Sequence, residues 1–444
     1  MTPDLSTASN RTVGKRIAAN TGLMVGAKLL AVLFGVGTLL IATKALNPVL
    51  FGTVIFLHAY MLFFAEVATF QTWQSIIRFG TDDIKHDDCD SLARLIQFGI
   101  RLDVISVLFA YLSSVALLSF VVWLVGQFPE LGPKEGLDVE TLRNYAALYC
   151  LVVLLRQIGT SIGIFRLFDR FTILAMEALI MPVTRFLGSI YAAWAGWGLE
   201  GFLAVWFFAS FLSYVCMMGL GTRELYRRRL LGRVFKAKLN FLKPRTGLWS
   251  FVVKSNIDST LAAGSFHLPL LMVMAVFGAA WAGIYKIAEE VANLLSEGFK
   301  LLDQVIYPEL AKLVAHGDAE EIWHIVMRSA IFLLSIGLLM SLVVYFVGPT
   351  VLAGIFGPEY VKSAPLASLL VPAAALLGVA APLYPIFYAA DKPEKAIFVR
   401  GAALIVYVSA FLFFSATVGK MAPGWAMITG NGFVVMAVIF AAKR

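Results

Sequence analysis

The sequence predicts an all-α polytopic membrane protein of about twelve transmembrane helices, arranged in two six-helix halves. Three observations carry this expectation. Of 444 residues, 60% are hydrophobic and 14% charged, against about 25% charged in soluble domains. Mean hydropathy is +0.83. Apolar stretches long enough for a hydrocarbon layer of ~30 Å recur along the whole chain, and Lys and Arg collect in alternate connections between them.

The spans are predicted in order at 18–43, 51–77, 97–125, 145–168, 171–194, 199–221, 248–275, 281–306, 325–347, 362–389, 396–418 and 422–441. The polar N-terminus runs into an apolar segment too long for a signal-peptide core, so that segment reads as a retained first span. Pro182, Pro372, Pro382 and Pro385 are expected to kink their spans. Gly22, Gly26, Gly35 and Gly37 permit close helix approach in span 1. Cys89, Cys150 and Cys216 have no CxxC or zinc spacing, so neither a disulfide framework nor a metal cluster is expected. The net charge of +8 lies in loops between spans and is no nucleic-acid signature.

The basic connections include Arg11, Lys15 and Arg16, then Arg78, Lys85 and Arg94, and then the run from Arg223 to Arg245. The positive-inside rule puts these loops and both termini in the cytoplasm. The longest basic connection, 222–247, is read as a linker between residues 1–221 and 248–444, and as a contact for anionic lipid. The segment Thr81–Asp90 reads as a solvated acidic loop rather than a metal site, because it lacks the glycine and spacing of a calcium loop.

Span 8 is unusual. Lys286, Glu290, Asn293, Glu297, Lys300 and Gln304 recur at steps of three and four, which puts them on one helical face. A charge at mid-bilayer costs roughly 2.5–3.5 kcal/mol on insertion scales, so such a stripe must face a polar interior. The halves also align weakly: pairing Gly52 with Gly283 pairs Glu66 with Glu297. Parallel internal repeats are a transporter design.

Several short segments occur in a familiar order. These are Leu46-Asn47-Pro48 followed by Phe51-Gly52, Gly283-Ile284-Tyr285-Lys286-Ile287-Ala288, Pro308-Glu309-Leu310-Ala311, and Phe356-Gly357-Pro358-Glu359-Tyr360. In a twelve-span frame they make the chain resemble the polysaccharide-transporter family of the MOP flippase superfamily, the Wzx-type flippases. The resemblance implies two six-helix lobes around a central cavity that alternate between inward- and outward-facing states. It implies a substrate made of a short glycan on a polyprenyl diphosphate, delivered from the cytoplasmic to the outer leaflet for surface polysaccharide assembly. It implies membrane lipids and a glycan polymerase machinery as partners.

An anionic diphosphate calls for cations in the path, Arg through its forked donors and Lys as a point charge. The candidates are Lys28, Arg156, Arg185 and Lys286, with Arg78, Lys254 and Lys300 nearer the ends of spans; each has the alternative of pairing with a carboxylate or reaching the interface. Glu66, Asp258, Glu290 and Glu297 are candidates for H+ or Na+ coupling. Asp258 also fits a simple pair with Lys254, four residues away. His58 and His267 read as packed polar residues. No cofactor is expected: there is no P-loop, and a potential of about 100 mV supplies roughly 2.3 kcal/mol per charge moved. The alternatives are a multidrug or cation antiporter of the same superfamily, whose cavity would be acidic, and a membrane-embedded glycan polymerase or ligase. The latter would need catalytic groups in an outer loop, and the longest such loop, 126–144, has no His or Cys.

Overall fold

The computed structural model describes residues 13–127, 137–156, 158–238, 240–242, 244–316, 319–380 and 393–442; the side chains of 13–18, 125–126, 298–326, 393 and 440–442 are not among them. Every regular element among the described residues is helical. The α-helices are α1 (Val13–Ala45), α2 (Pro48–Ala68), α3 (Thr72–Lys85), α4 (Cys89–Gln127), α5 (Val139–Tyr149), α6 (Gly159–Leu167), α7 (Phe171–Trp194) and α8 (Leu199–Arg227). They continue with α9 (Leu231–Lys236), α10 (Leu248–Phe277), α11 (Ala279–His316), α12 (Ala319–Phe356), α13 (Ser363–Ala380), α14 (Pro393–Thr417) and α15 (Ala422–Ala442). Eleven described stretches are long and apolar enough to cross a membrane. The 38-residue α11 has the length as well, but Lys286, Glu289, Glu290 and Glu297 make it too charged to join that set.

The described chain packs as two units. The first holds α1, residues 57–127 and 137–263; the second holds 47–56 and 264–442, so one division falls between α1 and α2 and two others fall inside α2 and α10. Residues 222–238 lie with the first unit, where they extend α8 and form α9.

Two predicted spans are interrupted. The span expected at 51–77 breaks at Thr69–Gln71, between α2 and α3. The span expected at 145–168 becomes α5, a 3-10 segment Cys150–Arg156, and α6. Hydropathy alone is blind to such breaks, because apolar residues continue through them. Within lipid, a freed backbone group must find a protein partner, and here side chains of neighbouring helices supply it. Asn256 Nδ2 and Thr260 Oγ1, on α10, donate to the carbonyls of Thr69 (3.2 Å) and Val67 (2.9 Å) at the end of α2.

On the other side of both breaks stands Asp103, a buried carboxylate on α4. Its Oδ1 accepts from Thr72 Oγ1 at 2.7 Å, at the start of α3. Its Oδ2 accepts from the backbone N–H of Thr160 at 2.8 Å, in the first turn of α6. One carboxylate thus joins the restarted halves of two broken helices to a continuous one. A Cβ at Gly159 would lie 2.3 Å from Thr72 Oγ1, so the side chain of α6's first residue has no room.

The predicted acidic loop is a built corner instead. Asp82 and Asp83 close the last turn of α3 and pair with Arg245 at 2.6 and 2.8 Å. The hydrogen bond that Arg245 donates to Asp82 is the main reason that its guanidinium is held above its ordinary pKa. Asp88 accepts from Ser91 N at the start of α4. Below that corner Phe98, Phe241 and Trp249 pack ring against ring.

In the second unit the two glycines paired by the internal alignment touch. A Cβ on Gly52 would fall 1.7 Å from the carbonyl oxygen of Ala279, and one on Gly283 would fall 2.9 Å from the Phe51 ring. Ala279 and Gly283 are one turn apart, a small-xxx-small face that lets α2 and α11 meet backbone to backbone. Pro182 and Pro372 lie inside α7 and α13; Pro382 and Pro385 lie outside the described residues.

Two stability predictions follow from these contacts. Gly52→Ala should lower the thermal stability of the purified protein much more than Gly283→Ala, since a carbonyl cannot turn aside as the Phe51 ring can. Overpacking of this kind costs about 1–3 kcal/mol or more, and a neutral Gly52→Ala variant would contradict the close approach. Asp103→Ala should cost roughly 3 kcal/mol, because two hydrogen bonds to a charged acceptor are lost at about 1.5–3 kcal/mol each. Asp103→Asn, with one acceptor oxygen left, should fall between; chemical unfolding in detergent ranks the three.

Candidate functional site

The interruption of α5–α6 delivers Arg156 to a small cavity inside the first unit. Asp138 starts this stretch by accepting the Thr141 N–H at 2.9 Å, a helix cap that holds its carboxyl below the ordinary range. The 3-10 turns after Tyr149 advance about 2 Å per residue instead of 1.5 Å, and Arg156 stands at their end. The cavity measures about 80 Å³ and is lined among others by His58 of α2, Arg156, Met181 and Arg185 of α7, and Ser210 and Ser213 of α8. At ~30 Å³ per water it has room for a few waters or a small polar group, and not for a sugar chain.

Arg185 is the hub of this site. It lies three residues after Pro182, whose missing N–H leaves one carbonyl of α7 without its usual donor. Its Nη1 lies 3.2 Å from His58 Nε2, its Nη2 lies 3.5 Å from Ser210 Oγ, and its guanidinium lies over the Trp206 ring at 4.8 Å from the centroid. A guanidinium only donates, so Nε2 of His58 accepts and the ring proton sits on Nδ1. That Nδ1–H donates to Tyr149 Oη at 2.9 Å. His58 and Trp206 also pack edge to face at 4.8 Å. The Nε of Arg185 is buried with no hydrogen-bond partner among the described residues.

The Arg156 carbonyl accepts from Ile158 N–H at 2.8 Å, while its guanidinium makes no hydrogen bond or ion pair with the described residues, and neither guanidinium is bridged by a carboxylate among them. Glu177, on α7, is the acidic group nearby. It accepts from Ser213 Oγ at 2.6 Å and feels the charge of Arg156. The first unit therefore offers two guanidiniums, a neutral imidazole and hydroxyls around one water-sized space at membrane depth. Chemically, that set can donate hydrogen bonds to an anion.

The other predicted residues are placed elsewhere. Lys28 is on an exposed face of α1. Arg78 is exposed on α3 and stacks on Phe251 at 4.6 Å, while Arg166 stacks on Trp73 at 4.0 Å. Lys254 is exposed and Asp258 half-buried on α10; Glu66 is half-buried near the end of α2. Glu297 is half-buried on α11. The side chains of Lys300 and Gln304 lie outside the described residues.

Lys286 takes the pairing alternative. Its Nζ lies 2.8 Å from Glu289 Oε2 and 3.4 Å from Glu290 Oε2. The three form one cluster in the second unit, with two carboxylates to one ammonium, and the buried Tyr285 and Tyr407 feel the charge of Glu289. Sequence reasoning singled out Lys286 and Glu290 and passed over Glu289, although an ionisable residue inside an apolar window was signal enough. The same signal was present at Glu177. Tyr149, Ser210 and Ser213 gave no signal, being ordinary members of apolar spans, and His58 was read only as a packed polar residue.

No family model matches the chain. It is 28% identical to inner membrane protein YghQ of Escherichia coli (strain K12) over 353 residues, 79% of this chain and 95% of that protein. Among solved structures it is similar to an inward-facing multidrug resistance MATE family transporter of the MOP superfamily, with a TM-score of 0.69 and 12% identity over 93% of this chain and 94% of that one. It is also similar to the lipid II flippase MurJ in an inward closed conformation, with a TM-score of 0.55 and 12% identity over 89% and 86% of the two chains. The fold is that of the MATE-like transporters, as an all-α polytopic membrane protein.

His58 and Arg185 are expected to be energetically coupled. The single variants His58→Ala and Arg185→Ala and their double variant should give a coupling of about 0.5–3 kcal/mol in thermal unfolding. Simple additivity would mean that the pair does not act as a unit.

Proposed function

We propose that the chain is a flippase of the bacterial cytoplasmic membrane, with both termini in the cytoplasm. Its substrate is an anionic oligosaccharide linked to polyprenyl diphosphate, moved from the inner to the outer leaflet by alternating access for surface polysaccharide assembly. The observation that carries this reading is the pair Arg156 and Arg185 on one membrane-depth cavity, with no bridging carboxylate among the described residues. Unneutralised cations at that depth are costly, and an anionic group passing through would offset that cost. The cavity suits a phosphate oxygen cluster rather than the glycan.

Several further observations agree with the proposal. The MATE-like fold serves transporters among the solved structures, and one of the similar structures is a lipid II flippase. The relative from Escherichia coli is described as an inner membrane protein. The cluster of Lys286, Glu289 and Glu290 holds one carboxylate more than it has cations, which is the natural place for coupling to H+ or Na+. Glu66, Glu297 and Asp258 remain secondary candidates. Lys28, Arg78 and Lys254 are not among the residues lining the cavity.

A second reading is a multidrug or cation antiporter. The excess carboxylate at Glu289 and Glu290 favours it, as does Glu177 beside the cavity. One experiment separates the two. The purified protein is reconstituted in liposomes with a labelled polyprenyl-diphosphate oligosaccharide in one leaflet, and its appearance in the other is timed. Arg156→Ala and Arg185→Ala should each slow transfer about 10-fold to 100-fold, the equivalent of one charge-assisted hydrogen bond of about 1.5–3 kcal/mol. Normal transfer by both variants at equal incorporation would remove the cationic path. Uptake of organic cations with no glycolipid transfer would establish the antiporter reading.

A further inference from the structure

A second basic cavity lies away from the transport site, at the end of the first unit. It measures about 490 Å³ and is lined by Asp90 and Arg94 from the first turns of α4, Arg229 from the turn after α8, Arg233 and Lys236 from α9, and Lys238. Five cations thus face one carboxylate, and that carboxylate is engaged: Arg233 Nη1 lies 2.6 Å from Asp90 Oδ1. The concavity is built rather than incidental. Arg229 sits in the left-handed region at φ 58°, a conformation rare for a residue with a side chain. The backbone bonds Arg229 N to Tyr226 O and Leu230 N to Leu225 O close α8 there. This turn folds α9 back against α4.

The level of this cavity points to its occupant. Asp90 and Arg94 stand in the first turns of α4, at the start of its candidate span Cys89–Leu124, and Arg229 follows the end of the α8 candidate span at Arg227. The charged groups thus stand at the ends of two candidate spans, the level at which phospholipid headgroups would lie. Around the basic groups the chain exposes large apolar side chains: Tyr226 is 73% exposed, Phe235 79% and Leu242 80%. Such residues beside cations are the pattern of interfacial anchoring, with rings at the acyl boundary and charges among phosphates. A soluble anion would use the cations and leave these anchors without a role.

We propose that this cavity, formed by α4, the α8–α9 turn and α9, is a binding site for the headgroup of an anionic phospholipid. Arg94, Lys236 and Lys238 meet the phosphate, Arg233 holds the wall through Asp90, and Tyr226 and Phe235 dip into the acyl boundary. The site is independent of the transported substrate.

The test uses the purified full-length protein in detergent and native mass spectrometry. Phosphatidylglycerol and phosphatidylcholine of identical chains are titrated in parallel, and inorganic phosphate alone is a third arm. Retention of phosphatidylglycerol over phosphatidylcholine is expected. The variant Arg94→Gln/Lys236→Gln/Lys238→Gln, which spares the Arg233–Asp90 pair and the turn, should weaken it by about fivefold per cation removed. Phe235→Ser should weaken lipid retention without changing phosphate binding. A photoreactive phosphatidylglycerol on the unaltered protein should label 89–94 and 226–238, a readout that needs no variant to fold. Equal retention of the two lipids, unchanged retention by the triple variant, labelling confined to other segments, or phosphate binding as tight as lipid binding would each overturn the proposal.

Discussion

Asp103 holds the first unit together. Its two oxygens satisfy the starts of α3 and α6, the two places where a span resumes after a break. Without such a partner each restart would leave an unpaired donor in an apolar surround, and each such group costs several kcal/mol in lipid. The broken geometry is therefore tolerable only because α4 runs unbroken past both restarts and α10 repairs the carbonyl side. The donors from Asn256 and Thr260 are the other half of that arrangement.

The cavity depends on those same breaks. A continuous α-helix through 145–168 would turn about 100° per residue and keep its regular rise. The 3-10 segment changes both rise and phase between Tyr149 and Arg156. It sets Tyr149 against His58 and Arg156 beside the space that Arg185 enters from α7. Strain, repair and site are one construction: Asp103 permits the interruption, and the interruption presents Arg156. His58 links Arg185 to Tyr149 through directed hydrogen bonds.

The second unit solves the charge problem differently. Lys286, Glu289 and Glu290 lie on a single helix within one turn, and their pairing was within reach of spacing alone. The contact of Gly52 with Ala279 and Gly283 sits on the same helix, one turn ahead. A backbone approach this close leaves no room for any side chain, which explains why small residues were needed there. It gives the weak internal alignment a physical correlate, since its aligned glycines are the ones that touch.

The sequence by itself determined the class, an all-α chain of about eleven or twelve apolar helices, and the spacing that sets Lys286 and Glu290 on one helical face. These are properties of local composition and of period, and both survive without knowledge of neighbours. It also drew attention to Arg156 and Arg185, because a guanidinium in an apolar window is conspicuous. It missed both helix breaks, since apolar residues run through them and the compensating bonds come from residues 31 to 193 positions away. It passed over Glu177 and Glu289 and had no means of linking His58 with Tyr149. Only the tertiary structure decided which charges share a space and which are already paired, because contact between helices depends on their register and crossing. A one-dimensional pattern carries neither.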